Sequence, residues 1–371
     1  MIVGVPKEVK NHEYRVGLTP DQVTELRLWG HQVLVQKNAG EAIGFMDEHY
    51  VMAGAQMVDC PSDIFTEAEM IVKVKEPQPE ECKMLRSGQV LFTYLHLAPD
   101  LHQTQALVQS NAICIAYETV TSANGRLPLL APMSEVAGRM SIQAAAHHLE
   151  KANGGRALLL AGVPGVPAAD VVILGAGAVG SAALQMAVGM GSRVTIIDKN
   201  LDRLRELDAL YGNSIHTLYS STANIERSVL SADVVIGGVL VPGGAAPKLV
   251  TRKMVSAMKS GSVIVDVAID QGGCFETSHA TTHQEPTYQI DDVIHYCVAN
   301  MPGAVARTST MALTNATAPF VMQIANKGAQ QALIENPHLM NGLNVYQGHI
   351  TCKAVACAHG LDYMDPTTMM H

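Results

Sequence analysis

The chain has 371 residues, of which 48% are hydrophobic and 16% are charged, and 25 Lys and Arg against 34 Asp and Glu give a formal net charge of −9. This high apolar fraction with few charges excludes an intrinsically disordered chain. The acidic balance weighs against nucleic-acid binding, which normally needs a basic surface. The length predicts two domains, each large enough for its own core.

The cysteine pattern indicates whether the chain binds a metal, and the N-terminal residues indicate whether it carries a targeting signal. The seven cysteines are odd in number and lack the paired spacing of a zinc site, so we predict no metal, reduced thiols and a cytoplasmic protein. The first residues have neither the basic start nor the apolar stretch of a signal peptide. Residues 171–192 are uncharged and long enough to span a membrane, but their glycines divide them into strand, turn and helix. We therefore predict no membrane segment.

Short apolar runs alternate with helical stretches, which predicts an α/β fold with parallel sheets built from βαβ units. The first strand is expected at 2–5. Thr19 and Gln22 have the spacing of a capping box and mark the start of the first helix. Ser134 is expected to cap a longer helix. The other strands of the first half are expected at 32–36, 70–74, 90–94 and 112–117.

A glycine- and proline-rich passage at 162–167 precedes a second alternating series. Its strands are expected at 171–174, 193–197, 233–236, 262–267 and 293–298, with a helix over 308–327. The tail has helix signals but no α/β series of its own, so we expect it to pack on the first domain. The predicted architecture is two Rossmann-like doubly wound domains with an interdomain cleft. Residues 1–130 plus 308–371 would form a discontinuous substrate domain, and residues 131–307 would bind the nucleotide.

The segment from Gly175 to Gly180 matches the dinucleotide-binding pattern G-x-G-x-x-G between an apolar strand and an Ala-rich helix. Gly175 permits the tight turn, Gly177 admits a pyrophosphate and Gly180 allows close helix–strand packing. Asp198 ends the next strand, at the offset of an acid that accepts ribose hydroxyls. It therefore favours NAD over NADP, a preference that the nearby cation Arg203 weakens slightly. The alternative is a glycine turn in an α/β unit without ligand, with Asp198 as a helix cap.

Polar side chains follow four predicted strands. Arg15 and Lys75 follow the strands at 2–5 and 70–74, and His96 follows that at 90–94. Asp270 comes three residues after the strand ending at Val267. Because ligands of open parallel sheets bind beyond the carboxyl ends of the strands, these side chains are candidates for one site.

Each candidate also has a simpler explanation. Arg15 could be a surface ion-pair partner, and His96 is one of 15 histidines. Lys75 could only solvate a loop, and Asp270 could be a turn acid. Placement at strand ends favours the functional interpretation without proving that the side chains converge.

Longer motifs extend over almost the whole chain. They are Val5-Pro6-Lys7-Glu8, Glu13-Tyr14-Arg15-Val16, Val72-Lys73-Val74-Lys75-Glu76-Pro77, Leu95-His96-Leu97, Leu130-Ala131-Pro132-Met133-Ser134-Glu135-Val136-Ala137-Gly138-Arg139, Val267-Ala268-Ile269-Asp270-Gln271-Gly272-Gly273-Cys274-Phe275-Glu276 and Cys297-Val298-Ala299-Asn300-Met301-Pro302. On these motifs the chain resembles the alanine dehydrogenases, a family of NAD-linked amino-acid dehydrogenases related to the nucleotide-binding subunit of transhydrogenase.

The resemblance implies roles for individual residues. Arg15 and Lys75 would bind substrate, while His96 and Asp270 would carry the proton chemistry. His279 stands where family members often have Arg, which leaves one cationic cofactor contact in doubt and would make cofactor affinity pH-dependent. Beside the glycine fingerprint and Arg203, the residues implied in contacts with NAD are Ser134, Asp198, Ser220, Val239, Leu240, Val267, Ala268, Ile269, Asp270, Val298, Ala299, Asn300 and Met301.

The reaction that the resemblance implies is the reversible oxidative deamination of L-alanine to pyruvate and ammonia, in a homohexamer. Three other classes stay open: a transhydrogenase-type nucleotide module, a saccharopine-type dehydrogenase with a larger amino-acid product, and an NAD-sensing regulator. Arg15, Lys75 and His96 together favour a small carboxylate substrate over the transhydrogenase-type module. Four polar groups at one predicted cleft weigh against a regulator that is not an enzyme.

Overall fold

The computed structural model describes residues 1–239 and 246–370. The chain divides into two compact units. Unit 1 comprises Met1–Met133 and Val305–His371, and unit 2 comprises Ser134–Ala304. Each unit is built on its own β-sheet, so the α/β class with two Rossmann-like units is confirmed.

The strands are short, and the ten that were predicted lie close to their expected positions. In chain order the strands are β1 (Ile2–Val5), β2 (Gln32–Gln36), β3 (Gln56–Val58), β4 (Met70–Val72), β5 (Val90–Thr93), β6 (Ile113–Ala116), β7 (Asp170–Leu174), β8 (Arg193–Asp198), β9 (Ile215–Tyr219), β10 (Val234–Gly237), β11 (Val263–Asp266), β12 (Thr287–Ile290), β13 (Val293–Tyr296), β14 (Leu343–Tyr346) and β15 (His349–Ile350). The strands at Gln56–Val58 and Ile215–Tyr219, and the antiparallel strands described below, were not predicted.

The helices fill the connections between the strands. In chain order they are α1 (Pro20–Leu28), α2 (Asp47–Met52), α3 (Pro61–Glu67), α4 (Pro79–Met84), α5 (Leu101–Ser110), α6 (Ala131–His148), α7 (Ala178–Gly189), α8 (Leu201–Tyr211), α9 (Thr222–Ser231), α10 (Arg252–Ser256), α11 (Ala306–Lys327), α12 (Ala329–Glu335), α13 (Pro337–Met340) and α14 (Lys353–His359). The capping box at α1 forms as predicted, since the Gln22 Oε1 accepts the N–H of Thr19 at 2.9 Å.

The two sheets share one topology. In unit 1 the strand order is β3-β2-β1-β4-β5-β6, and in unit 2 it is β9-β8-β7-β10-β11-β13, with parallel pairing throughout both series. Both follow the doubly wound order 3-2-1-4-5-6. The order reverses between β1 and β4 in one sheet and between β7 and β10 in the other. These are the switch points where such sheets open a crevice at the carboxyl ends of their strands.

Antiparallel strands extend one edge of each sheet. β12 pairs with β13 in unit 2, while β14 pairs with β6 and β15 with β14 in unit 1. The sequence analysis did not predict these strands. Through β14, the C-terminal tail becomes part of the sheet of unit 1.

The apolar runs of unit 2 are buried on both faces of its sheet. Val171 and Ile173 belong to one apolar cluster, whereas Val172 belongs to another, because alternate residues of a strand point to opposite faces. Two-sided burial explains why these strands read as continuous apolar runs. The uncharged stretch that resembles a membrane span consists of β7, the glycine turn and α7. Over the described part of the chain, the model has no helix with the length and apolar character that a bilayer crossing requires.

Some predicted boundaries are wrong. α6 begins at Ala131, so Ser134 lies inside its first turn instead of capping it, and Pro132 suits the N-terminal turn that the helix has. β4 ends at Val72, and Lys75 is therefore three residues beyond the strand. β11 ends at Asp266, and Asp270 lies in a 3-10 helix over Val267–Gln271.

Candidate active site

The glycine loop of unit 2 connects β7 to α7 beside the switch point. Gly175 has φ +94°, a left-handed conformation in which glycine avoids the steric cost of a side chain. A Cβ at Gly180 would lie 1.8 Å from the carbonyl oxygen of Gly175, so this helix–loop contact requires glycine. A Cβ at Gly177 would have no neighbour within 4 Å, and the loop is open on that side.

Asp198 and Arg203 hold the loop through its central residue, Ala176. The Asp198 Oδ2 accepts the N–H of Ala176 at 2.6 Å, and the Arg203 Nε donates to the Ala176 carbonyl oxygen at 3.1 Å. Arg203 also donates to the Ser181 Oγ at 2.8 Å and pairs with Glu206 at 2.6 Å. The guanidinium predicted to approach the cofactor is thus bonded to the loop itself.

These features fit a dinucleotide. The open backbone at Gly177, directly before the first residue of α7, offers helix N-terminal N–H groups to a pyrophosphate. Asp198 accepts the N–H groups of Ala176 and Asn200 at 2.6 and 2.7 Å. A carboxylate accepts about four hydrogen bonds, so Asp198 retains capacity for ribose hydroxyls.

Apart from Ser134, which lies in the first turn of α6, the other residues predicted to contact cofactor follow the carboxyl ends of neighbouring strands in unit 2. Ser220 follows β9 and donates its N–H to the Asp198 carbonyl oxygen at 3.0 Å. Val239 follows β10, and Leu240 lies outside the described residues. The remaining predicted residues follow β11 or β13: Val267, Ala268, Ile269, Asp270, Val298, Ala299, Asn300 and Met301.

Asp266 organises the turn that carries Asp270. Its carboxylate accepts the N–H groups of Ala268 and Cys274 at 3.1 and 3.0 Å and the Ser278 hydroxyl at 2.6 Å. Burial raises the pKa of Asp266 although these donors oppose the shift. Asp266 is an acid at the end of an otherwise apolar strand, and that position is the sequence signal that could have identified it. The exposed Asp270 therefore projects from a fixed 3-10 turn.

The switch point of unit 1 carries two of the predicted substrate residues, since Arg15 follows β1 and Lys75 follows β4. Arg15 is buried, with 2% of its surface exposed. Its Nε and Nη2 donate to the two carboxylate oxygens of Glu13, each at 2.6 Å. Burial opposes the charge on Arg15, but the hydrogen bonds and charge of Glu13 outweigh it and raise the pKa of the guanidinium. The third nitrogen, Nη1, lies 3.1 Å from the Met133 Sδ.

Glu13 connects Arg15 electrostatically to Lys75. Burial alone would raise the pKa of Glu13, but its hydrogen bonds to Arg15 and the positive charges of Arg15 and Lys75 lower it. Glu13 was not among the candidate site residues predicted from the sequence. Its position two residues before Arg15 becomes informative only once the fold shows that both side chains are buried.

His96 is held in an uncommon backbone conformation, with φ +49°. The Glu118 carboxylate accepts the N–H of His96 at 2.6 Å and that of Leu95 at 3.2 Å. Its Oε1 also lies 4.0 Å from the Nδ1 of His96. The imidazole stacks on the ring of Tyr94, with centroids 5.7 Å apart and planes 9° apart, and 46% of its side chain is exposed.

Tyr94 stacks on the His96 imidazole and also experiences the charge of Arg15. The charge of Arg15 is among the factors acting on the pKa of Tyr94, which burial raises. Arg15, Lys75 and His96 thus follow three neighbouring strands of unit 1, β1, β4 and β5, at the same edge of its sheet. Glu118 was not selected from the sequence because it is 22 residues from His96 and contacts it only through the pairing of β5 with β6.

Unit 2 joins the doubly wound order to a strand–glycine loop–helix unit and a terminal acid on the next strand, which is the arrangement of dinucleotide-binding α/β proteins. Two family models match the chain: "Alanine dehydrogenase/PNT, N-terminal domain" over residues 4–137 and "Alanine dehydrogenase/PNT, C-terminal domain" over residues 141–353. The chain belongs to the alanine dehydrogenase/PNT family.

Similar proteins extend over the whole chain. The alanine dehydrogenase of Halomonas elongata is 56% identical over 370 residues and covers 100% of both chains. That of Bacillus subtilis is 56% identical over 365 residues, covering 98% of this chain and 96% of its own. A solved L-alanine dehydrogenase is 50% identical with a TM-score of 0.94, covering 97% of this chain and 99% of its own. A transhydrogenase from Sinorhizobium meliloti, at 24% identity and TM-score 0.82 over 95% and 100% of the two chains, shares the fold.

Proposed function

We propose that the chain catalyses the NAD-linked reversible oxidative deamination of L-alanine to pyruvate and ammonia. The observation that carries the proposal is the group formed by Arg15, Lys75 and His96 beyond three neighbouring strands of unit 1. The family membership and the full-length similarity to proteins named alanine dehydrogenase support it.

Arg15 is proposed to bind the substrate carboxylate. Glu13 engages the side of the guanidinium formed by Nε and Nη2. A guanidinium has five N–H donors in a planar fork whose geometry matches that of a carboxylate, and such pairs form strong charge-assisted hydrogen bonds. Glu13 keeps Arg15 charged and fixes its plane, which would direct the substrate α-carbon.

Lys75 and His96 are proposed to act on the atoms that react. The Lys75 ammonium would hydrogen-bond the substrate carbonyl oxygen and stabilise the negative charge that develops there. His96 would accept the proton from water that adds to the iminium and return it to the leaving amine. An imidazole suits both steps because it titrates near neutral pH. Glu118 fixes the backbone from which the imidazole projects.

Bound NAD would supply the acceptor for the hydride of the alanine α-carbon. Asp198 would accept its ribose hydroxyls, and the loop around Gly177 would bind its pyrophosphate. Arg203 is occupied by Ala176, Ser181 and Glu206, which supports NAD over a cofactor with a 2′-phosphate. Asp270 would activate the water or orient the cofactor, and the two roles differ in whether turnover or binding depends on it.

Asp198→Ala should raise the KM for NAD about 10-fold or more and reduce the preference for NAD over NADP, because a charge-assisted hydrogen bond is lost. Initial rates with both cofactors measure the change. Asp202→Ala is the matched control, since Asp202 is exposed on α8, where it pairs with Arg205. Unchanged Michaelis constants for both cofactors in Asp198→Ala would remove the ribose role.

Asp270→Ala should lower kcat by about 100-fold while the Kd of NADH changes less than about 2-fold, as expected for a group in proton transfer. Stopped-flow turnover and NADH fluorescence titration separate the two quantities. Asp208→Ala, an exposed acid on α8, carries the same charge change as a control. Equal losses in turnover and in NADH affinity would instead assign Asp270 to cofactor orientation.

The activity itself is tested by following nicotinamide absorbance with NAD and L-alanine, and with NADH, pyruvate and ammonium. Parallel reactions with glycine, serine, glyoxylate and NADP define specificity. Hydride transfer between two nucleotides without any amino acid would favour the transhydrogenase-type alternative. We further propose a homohexamer, which analytical ultracentrifugation tests directly; a monomer would contradict it.

A further inference from the structure

We propose that Glu8 is a positioning residue that sets the main chain of Lys75 and thereby substrate affinity. The inference rests on the proposed function, in which Lys75 binds the substrate oxygen. Glu8 follows β1 and Lys75 follows β4, so the two lie beyond neighbouring strands at the switch point. Glu8 is buried, with 7% of its surface exposed.

One oxygen of Glu8 bonds the segment that leads into Lys75. The Glu8 Oε1 accepts the N–H of Val74 at 2.7 Å and that of Lys75 at 3.3 Å. β4 ends at Val72, so these two N–H groups lie beyond the regular ladder of the sheet. On the other side, the Thr93 hydroxyl donates to the Lys75 carbonyl oxygen at 2.9 Å. A side chain therefore holds each polar group of the Lys75 main chain.

The other oxygen of Glu8 is fixed by a buried cation. The Lys73 Nζ lies 3.3 Å from the Glu8 Oε2 and 2.7 Å from the Glu81 Oε1, and Lys73 is fully buried. Burial raises the pKa of Glu8, with the charge of Lys73 opposing the shift. Burial alone would lower the pKa of Lys73, but the two carboxylates raise it. The bond to Lys73 thus orients the Glu8 carboxyl group with its Oε1 toward Val74 and Lys75.

The negative charge of Glu8 also acts on Arg15, the other cation proposed to bind substrate. It contributes to the raised pKa of Arg15. A displacement of about 1 Å in a positioning group can reduce an enzymatic rate about 100-fold. The Glu8 acceptor bonds are therefore expected to affect the substrate more than the cofactor, which binds through unit 2.

Two substitutions of equal length separate hydrogen bonding from charge. Glu8→Gln and Glu8→Met both remove the charge, but only glutamine keeps an acceptor oxygen for Val74 and Lys75. Glu8→Met should raise the KM for pyruvate about 10-fold, the size of one or two lost hydrogen bonds. The KM for NADH should stay within about 2-fold in both variants, and Glu8→Gln should keep a KM for pyruvate near that of the wild type.

Glu81→Met is the matched control. It removes the other carboxylate from Lys73 but leaves the N–H groups of Val74 and Lys75 bonded to Glu8. It should lower Tm comparably to Glu8→Met without changing the KM for pyruvate. Should Glu8→Met fail to accumulate in folded form, Glu8→Ser carries the same expectation. Equal KM values for pyruvate in the Glu8 and Glu81 variants would overturn the inference, whereas a wild-type protein inactive with pyruvate would overturn the proposed function.

Discussion

His96→Ala should lower kcat in both directions by about 100-fold to 10,000-fold, the usual contribution of a general acid–base group. The Kd of NADH should change by less than about 2-fold, because the imidazole belongs to unit 1 and the glycine loop to unit 2. Steady-state rates of alanine oxidation and pyruvate amination, with NADH fluorescence titration, measure both quantities.

The backbone of His96 needs a control of its own. Its φ of +49° is unfavourable for alanine, which would add a stability loss of about 1 kcal/mol to the loss of the imidazole. Asparagine adopts this conformation more readily and does not titrate, so His96→Asn should lose the same turnover with a smaller change in Tm. His102→Ala, an exposed histidine on α5, should leave turnover unchanged. Wild-type rates in His96→Asn would remove His96 from the proton chemistry.

Arg15→Met should raise the KM for pyruvate and for L-alanine at least about 100-fold, because the substrate carboxylate loses its charge-assisted hydrogen bonds to the guanidinium. The same change leaves the buried carboxylate of Glu13 without its guanidinium, which costs about 3–5 kcal/mol of stability. Initial rates and chemical denaturation measure the two effects separately.

The stability effect has a pH signature. In the wild type, the pKa of Glu13 is lowered, so the carboxylate contributes stability that is present above its unfolded pKa and is lost as pH falls through its folded value. In Arg15→Met, burial would raise the pKa of Glu13, and stability should increase as pH falls. Arg15→Lys keeps a charge but loses the fork and should give an intermediate KM. A KM unchanged in Arg15→Met, with lower stability, would make Arg15 only a structural partner of Glu13.

Local patterns were sufficient for the glycine loop of unit 2 and the strands beside it. The turn at Gly175, the apolar run of β7 and the acid at Asp198 are all contained within a short segment, so sequence spacing reports them directly. Where buried strands have no polar side, as in β10 and β11, the apolar run itself marks the strand and leaves its ends uncertain by a residue or two.

Features made by distant parts of the chain were not predictable in this way. β15 has only His349 and Ile350, and it becomes a strand because β14 pairs with β6. Glu8, Glu13 and Glu118 are ordinary acids in the sequence, and their importance depends on burial and on partners from other strands. The candidate site residues were accessible from motifs, whereas the carboxylates that bond them became visible only with the fold.

The most direct test of the account uses L-alanine that carries deuterium at Cα. The wild-type protein is incubated with NAD and this alanine, and the isolated NADH is analysed by mass spectrometry. The account predicts NADH that carries one deuterium together with an equal amount of pyruvate. NADH without deuterium, or pyruvate formed without NADH, would contradict the proposal that hydride passes from the alanine α-carbon to the nicotinamide.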